Sequence, residues 1–356
     1  MNKSALKAFA TSARKELLKK VEAKAMKIGI TEDNIKKAEI ESSDAIYIDG
    51  KQLSKEEKTQ RDKLVARINQ IGYKQVMEEV AYTWFNRFTA LRFMEVNDYL
   101  PTGVRVLSSS NPNSADPDML NEALDLDLEI DKEYVYDLKL NNKTEELFKY
   151  LIIKHCNDLN RYLPVMFETI DDFTEILFPE GLLAKDSFIS QMIDRETILE
   201  EDWEKVEIIG WLYQYYISEK KDQVFADLKK NIKINKDTLP AATQLFTPNW
   251  IVRYMVDNSL GRVWKESYPL TGLRDNIKYF LDEGEQNVDV LRQLEEIRYK
   301  EVNPEEITFL DPSCGSGHIL VYAFDLFYEM YLEKGYMAHE IPKLILEKNL
   351  FGLDID

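Results

Sequence analysis

Cysteine is scarce in this sequence, with only Cys156 and Cys314 among 356 residues. Two thiols so far apart do not suggest a disulfide framework, and reduced thiols in a cytoplasm are the simplest interpretation. Long apolar runs are also lacking, and the first twenty residues have neither the apolar segment nor the small-residue cleavage site of a secretory signal. The sequence therefore predicts a soluble, cytoplasmic protein without a membrane partner.

Histidine is scarce as well, with three residues in the chain. His155-Cys156 lies in a predicted helix with no second ligand pair nearby, so no metal site is predicted. The net charge of −18 argues against a protein that simply coats nucleic acid. Residues 1–75 are the exception, with 17 Lys and Arg against 11 Asp and Glu. This basic segment either contacts phosphates or is a solvated helical surface.

Apolar and aromatic residues recur at helical spacing through the first two-thirds of the chain. The pattern predicts helices over residues 1–40, 54–100, 145–159 and 203–216. The last of these is dense in aromatic residues, which could stack on bases. Packing in a core is the preferred interpretation of these side chains.

The pattern changes near residue 238. Pro240 is followed by a Thr-Pro helix start and later by a short apolar run, Ile307-Thr308-Phe309-Leu310, which is typical of a buried strand in a parallel sheet. We therefore predict a mainly α-helical domain over residues 1–237 and the beginning of an α/β domain over residues 238–356.

The strongest chemical signal is the loop after this apolar run, Asp311-Pro312-Ser313-Cys314-Gly315-Ser316-Gly317. It precedes an amphipathic helix predicted over Ile319 to Glu333, so it lies at the carboxyl end of a strand, where ligands bind in such sheets. The two glycines allow a tight turn and close approach of the backbone to a ligand. A helix start at His318 presents free N–H groups, which favour an anionic group such as an amino-acid carboxylate.

Two other kinds of glycine loop are excluded by the neighbouring residues. A P-loop requires Gly-Lys-Ser/Thr, whereas His318-Ile319 follows the second glycine here. A dinucleotide-binding fingerprint requires a third glycine at position 320, which is leucine. A plain strand–turn–helix connection without a ligand is the remaining alternative.

Two further segments accompany the loop. Thr243-Gln244-Leu245-Phe246-Thr247-Pro248 opens a helix predicted over Asn249 to Ser259 and ending at Gly261, with Thr247 as N-cap and Pro248 as its first residue. Leu350-Phe351-Gly352-Leu353-Asp354-Ile355-Asp356 predicts a second parallel strand. An acid at the end of the second strand binds ribose hydroxyls in such sheets, which makes Asp354 and Asp356 the candidates.

The segment from Asp311 to Gly317 resembles the first motif of amino-group DNA methyltransferases, Asp-Pro-Ala/Ser-Cys-Gly-Ser/Thr-Gly. In that family the loop wraps the methionine part of S-adenosylmethionine, and a Phe-Thr-Pro segment closes over the same moiety. The resemblance implies a Rossmann-like, S-adenosylmethionine-dependent methyltransferase domain. The cofactor-binding residues that it implies are Phe246, Thr247, Pro248, Asp311, Pro312, Ser313, Cys314, Gly315, Ser316, Gly317 and Asp354. The family often has Gly-Gln before the aromatic residue, where this chain has Thr243-Gln244-Leu245.

Several aromatic segments further resemble the helical N-terminal domain of the adenine methyltransferases of BREX phage-resistance systems. They are Trp84-Phe85-Asn86-Arg87-Phe88, the following Ala90 to Val96 with Tyr99-Leu100-Pro101, and Gly210 to Tyr216. The resemblance covers essentially the whole chain. It implies methylation of adenine N6 in double-stranded DNA, with other defence-system proteins as candidate partners. A methyltransferase of a Type I or Type IIG restriction-modification system and a non-catalytic helical interaction module are the alternatives.

The catalytic motif of the family, Asn/Asp-Pro-Pro-Tyr/Phe, does not occur in these residues. In the family this motif holds the flipped adenine and hydrogen-bonds its exocyclic amine; base flipping exposes a base to such chemistry. We therefore expect no catalytic residue in this chain, which is interpreted as a truncated product or fragment. It is expected to be inactive alone and to bind the cofactor weakly or not at all.

Overall fold

The computed structural model describes residues 1–41, 45–48, 50–111, 114, 116–168, 173–236 and 238–354. The chain divides into two compact units, Met1–Glu219 and Lys220–Asp356. Within the described part, no helix is both long and apolar enough to cross a membrane. The domain boundary predicted between residues 237 and 238 is a statement about which part of the chain folds independently. The division into compact units does not test independent folding, so this boundary stays a prediction. Residue 237 itself lies outside the described residues.

The first unit is mainly helical and includes one small antiparallel sheet. Its elements are α1 (Lys3–Lys27), β1 (Ile40–Glu41), β2 (Ala45–Ile48), β3 (Lys51–Ser54), α2 (Lys55–Ile71), α3 (Tyr73–Val96), α4 (Asp118–Asn121), α5 (Lys132–Leu140), α6 (Thr144–Leu159), α7 (Phe173–Ile176), α8 (Phe188–Ile193), α9 (Glu200–Trp203) and α10 (Glu207–Tyr216). The helix predicted over residues 145–159 is confirmed as α6, and the pattern over 203–216 corresponds to the end of α9 and α10.

The other two predicted helices are interrupted at glycines. The helix predicted over residues 1–40 ends at Lys27, because Gly29 takes a φ of +76°, a left-handed conformation that glycine adopts without strain. The sheet β1-β2-β3 follows, which the helical spacing did not indicate. The pattern over residues 54–100 divides into α2 and α3 at Gly72, whose φ is +92°.

The core of the first unit is built around α1, which packs against α3, α8 and α10. Large aromatic side chains fill it, including the buried Trp84, Trp203 and Tyr216. The Tyr216 ring lies 4.3 Å from that of Phe85, measured between centroids. The predicted core role is confirmed for Tyr216, since burial leaves it no surface on which a base could stack.

A buried carboxylate fixes the loop that follows α3. Glu95 is 2% exposed and accepts hydrogen bonds at Oε1 from Arg92 Nη1 (2.7 Å) and Ser108 Oγ (2.9 Å). Its Oε2 accepts from the backbone amides of Val106 and Leu107, both at 2.8 Å. Both carboxylate oxygens are thus fully used, as a charge removed from water requires.

The second unit combines short helices with a two-stranded parallel sheet. Its elements are α11 (Ser218–Lys229), which begins just before the division, α12 (Leu239–Thr243), α13 (Asn249–Asp257), α14 (Leu260–Ser267), α15 (Val288–Ile297), β4 (Phe309–Asp311), α16 (His318–Glu333), α17 (Ile341–Leu344) and β5 (Leu350–Gly352), with 3₁₀ turns at Gly272–Asp275 and Pro304–Glu306 and a π-helical turn at Ile345–Asn349.

Two details of the predicted helix after residue 248 are wrong. The N-cap is Pro248, with no side-chain capping hydrogen bond, so Thr247 lies outside the helix. The extended ψ of 142° at Pro248 places the first helical residue at Asn249. The helix ends at Asp257, and Gly261 lies inside the next helix, α14, rather than ending α13.

The predicted parallel pairing is confirmed, with Phe309 opposite Leu350 and Asp311 opposite Gly352. Asn349, which is fully buried, holds the start of β5 by donating from Nδ2 to the carbonyls of Pro304 and Ile307, each at 2.7 Å. Its Oδ1 accepts from the hydroxyl of Tyr331 on α16 at 2.9 Å. This amide therefore joins the start of β5 to the segment before β4 and to the connecting helix.

The prediction that the first strand is buried is wrong for one of its faces. Leu310 is 62% exposed, and its neighbour Phe351 on β5 is 47% exposed. Successive side chains of a strand point to opposite faces of the sheet. Among the described residues, helix α16 covers the face that carries Phe309 and Leu350. The other face of the sheet is apolar and open.

Limited trypsin digestion is expected to leave a helix-rich N-terminal core and to remove the second unit. The lysines that end α11 and follow it, Lys229, Lys230, Lys233 and Lys236, are all exposed. Exposed segments with few contacts are the preferred sites of nicking. Mass spectrometry should locate the first cuts there, and circular dichroism should show a helical fragment; even digestion from both ends would contradict a separately stable domain.

Candidate functional site

The loop between β4 and α16 is a tight turn that depends on its glycines. The amide of Ser313 donates to Asp311 Oδ1 at 3.1 Å, and the amide of Gly317 donates to the carbonyl of Cys314 at 2.8 Å. Gly315 and Gly317 have φ of +52° and +77°. Side-chain-bearing residues rarely adopt this left-handed region, so these positions favour glycine.

Asp354 lies against this loop. Its Oδ2 accepts a hydrogen bond from the Gly315 amide at 2.8 Å. The chain after β5 is held in place by two backbone bonds, from the Leu353 amide to the Asp311 carbonyl and from the Cys314 amide to the Leu353 carbonyl, both 3.0 Å. The structure therefore brings the predicted acid and the glycine loop together. Asp356, the other candidate, lies outside the described residues.

The segment before α13 meets the start of α16. The Phe246 side chain is buried, and its ring centroid lies 4.2 Å from that of His318. The carbonyl of Thr247 lies 2.7 Å from His318 Nε2. Two of the predicted residues of this segment thus reach the helix that begins directly after the glycine loop.

The remaining predicted residues have fewer contacts in this arrangement. Pro312, Ser313 and Ser316 are exposed on the loop, and Pro248 is half-buried at the head of α13. The three loop residues are therefore accessible to solvent. The loop is accordingly accessible from outside, as a site for a soluble cofactor must be.

Asp311 carries an unused acceptor. The residue is 8% exposed, and its Oδ2 is buried without a hydrogen-bond donor among the described residues. A buried carboxylate oxygen is costly unless a donor reaches it. A ligand that offers an N–H or O–H group, such as an amino acid's ammonium, fits this requirement.

Cys314 packs within the loop, and its surroundings disfavour the thiolate form. Burial, followed by the nearby carboxylates of Asp354 and Asp311, raises the pKa of its thiol. A thiol whose pKa is raised stays protonated at neutral pH and is a poor nucleophile. A Cβ at position 352 would come within 3.1 Å of its Sγ and 2.9 Å of Leu320 Cδ1, so a side chain there would require both neighbours to shift.

The pair His155-Cys156 lies in the core of the first unit. Burial lowers the pKa of His155 to about 4 and raises the pKa of the Cys156 thiol to about 12. Both groups are therefore uncharged at neutral pH. Among the described residues, no group of three or more His, Cys, Asp or Glu side chains has an arrangement that could hold a metal ion.

Sequence reasoning missed a second set of contacts between α13 and α16. Asp257 is fully buried and accepts at Oδ1 from the Tyr322 hydroxyl (2.7 Å) and at Oδ2 from the Tyr279 amide (2.9 Å). The guanidinium of Arg253 lies over the Tyr322 ring, 5.0 Å from its centroid. The only sequence signal was an acid at the end of an amphipathic helix, which is common on helix surfaces.

Comparison with known proteins gives two relatives over the full length of the chain. It is 41% identical to a protein of Escherichia coli O9:H4 (strain HS) named adenine-specific methyltransferase BrxX. It is 40% identical to a protein of Lacticaseibacillus casei (strain Zhang) named adenine-specific methyltransferase PglX. The chain spans only 30% and 31% of the lengths of these relatives. No family model matches it.

Proposed function

We propose that this chain is the cofactor-binding segment of an adenine-specific DNA methyltransferase that acts in phage defence. The observation that carries the proposal is the meeting of three separate segments at one loop. Asp354 accepts from the Gly315 amide, and the carbonyl of Thr247 meets His318, the residue directly after Gly317. The likeness to two proteins named adenine-specific methyltransferases supports this choice among possible ligands and reactions.

The residues present fit S-adenosylmethionine. Asp311 offers a buried acceptor for the ammonium group of the methionine part, and the glycine loop allows backbone approach to it. Asp354 is the acid proposed to bind a ribose hydroxyl, because it stands where an acid follows the second strand of such sheets. When bound, the cofactor supplies an electrophilic methyl group on a sulfonium.

The proposed fold is a Rossmann-like methyltransferase domain that begins in this chain. β4, α16 and β5 make up a strand–helix–strand unit with parallel strands, the repeating element of such sheets. The proposed substrate is double-stranded DNA, and other defence-system proteins are the proposed partners. The adenine would be flipped from the duplex into a pocket that residues outside this chain complete.

A protein in which this chain continues over the full length of its relatives, called the full-length product below, is expected to transfer tritium from methyl-labelled S-adenosylmethionine to adenine in DNA. The chain of 356 residues alone is expected to transfer none, because it lacks the Asn-Pro-Pro-Tyr type of motif that holds the target amine. Enzymatic digestion of the DNA followed by chromatography of the nucleosides would identify N6-methyladenine as the labelled product.

Two outcomes would contradict this proposal. Labelling of cytosine, or of protein instead of DNA, would overturn the assignment to adenine. Clear incorporation by the isolated chain would show that its residues include a catalytic centre. Asp311→Asn in the full-length product tests whether labelling depends on the proposed cofactor site. It keeps the loop shape and an acceptor for the Ser313 amide but removes the charge. It should label DNA much more slowly.

A further inference from the structure

His318 links two segments that are 71 residues apart in sequence. It is the first residue of α16 and is 7% exposed. Its Nε2 lies 2.7 Å from the Thr247 carbonyl oxygen. A carbonyl oxygen can only accept a hydrogen bond, so this distance requires the hydrogen to be on Nε2. The imidazole also packs on the Phe246 ring, with an interplanar angle of 31°.

The position of the imidazole is set by the loop before it. Gly317 is the N-cap of α16 and has a φ of +77° and a ψ of 11°. This left-handed conformation, which glycine adopts without strain, turns the chain from the loop into the helix that begins at His318. The glycine loop and the contact with Thr247 are therefore coupled through one backbone turn.

A separate set of contacts holds the two helices together. One turn further along α16, Tyr322 donates to Asp257 on α13 and carries the guanidinium of Arg253 over its ring. Side chains of Val252, Val256, Leu326 and Phe327 are buried in the same cluster. The packing of α13 against α16 therefore has contacts of its own apart from His318, whose polar contact lies on the segment ahead of α13.

We propose that His318 is a positioning residue for the cofactor: its Nε2–H holds the Thr247 carbonyl so that Phe246, Thr247 and Pro248 stay against the glycine loop. This inference rests on the proposed binding of S-adenosylmethionine at that loop. Without the hydrogen bond, the Phe-Thr-Pro segment samples more conformations. The apparent affinity for a ligand falls in proportion to the fraction of molecules in the competent conformation.

The test compares two substitutions in the full-length product. His318→Phe keeps a ring against Phe246 but removes the donor, and His318→Gln restores an N–H donor on a flexible chain. S-adenosylmethionine affinity is measured by calorimetry, and the melting temperature is measured without ligand. We expect His318→Phe to weaken S-adenosylmethionine binding by about three- to tenfold, which corresponds to the loss of one hydrogen bond. The melting temperature should be unchanged. His318→Gln should recover binding to within about twofold of the parent.

Tyr322→Phe is the matched control, because it removes the hydroxyl that binds Asp257 and leaves the His318 contact in place. It should lower the melting temperature while S-adenosylmethionine affinity stays within about twofold of the parent. A parent that binds no S-adenosylmethionine overturns the proposed function and this role with it. A parent that binds while His318→Phe binds equally well overturns the positioning role alone. The positioning role is also overturned if His318→Phe lowers both the affinity and the melting temperature and His318→Gln does not recover the affinity.

Discussion

Asp354→Ala in the full-length product is expected to weaken S-adenosylmethionine binding by roughly ten- to a hundredfold. The carboxylate accepts from the Gly315 amide at 2.8 Å and, in the proposed site, also from a ribose hydroxyl. A hydrogen bond to a charged group contributes about 1.5–3 kcal/mol, which sets the expected range. Isothermal calorimetry at constant salt would measure the change.

Two further variants separate the two roles of Asp354. Asp354→Asn keeps an acceptor for the Gly315 amide, so it should bind S-adenosylmethionine better than the alanine variant but less well than the parent. Asp289→Ala removes an exposed acid on α15 and should leave the affinity unchanged. If Asp354→Ala, Asp311→Ala and Gly315→Val all bind as well as the parent, the assignment of the site is wrong.

Glu95→Ala is expected to lower the free energy of unfolding by about 3–5 kcal/mol. The substitution leaves the guanidinium of Arg92, which is 1% exposed, as a buried charge without its carboxylate. It also removes the acceptor of the Val106 and Leu107 amides. Urea titration of the 356-residue chain, followed by circular dichroism and tryptophan fluorescence, would measure the change; the buried Trp203 ring lies 5.9 Å from the Arg92 guanidinium.

Glu146→Ala is the matched control for Glu95→Ala. Glu146 pairs with Lys143 at the same spacing of three residues, but both side chains are about half exposed. Exposed pairs contribute little because water and salt screen them, so the loss should be within about 1 kcal/mol. Equal losses in the two variants would show that the Glu95 network is not a stabilising feature.

Local sequence patterns were sufficient for the parts of the fold that depend on nearby residues. The glycine loop, the start of α16 at His318 and the parallel pairing of β4 with β5 were all predicted. Helical spacing also predicted both ends of α6 to within one residue. The loop and the helices follow from the conformational freedom of glycine and from hydrophobic periodicity, which act over short distances in the chain. The parallel pairing follows from the order strand, helix, strand, in which the helix connects two neighbouring parallel strands.

Features that depend on distant contacts were missed. The sheet β1-β2-β3 interrupts a pattern that favours helix, and nothing local marks Glu95 as the acceptor of a loop more than ten residues away. The ring of His318 meets a carbonyl 71 residues earlier, which the residue's own neighbours do not indicate. Thr247 was predicted as the N-cap because threonine commonly caps helices, whereas Pro248, in an extended conformation, takes that position and the helix begins at Asn249, as its predicted range has it.

The open apolar face of the sheet, with Leu310 and Phe351, has a consequence for the behaviour of this chain in solution. Water-exposed apolar surface draws molecules together, whereas the net charge of −18 keeps them apart. At 0.1 M salt, repulsion between charges more than about 10 Å apart is largely screened, and sulfate or phosphate strengthens apolar association. The chain is therefore expected to stay monodisperse in dilute buffer at low ionic strength and to self-associate when it is concentrated or salted.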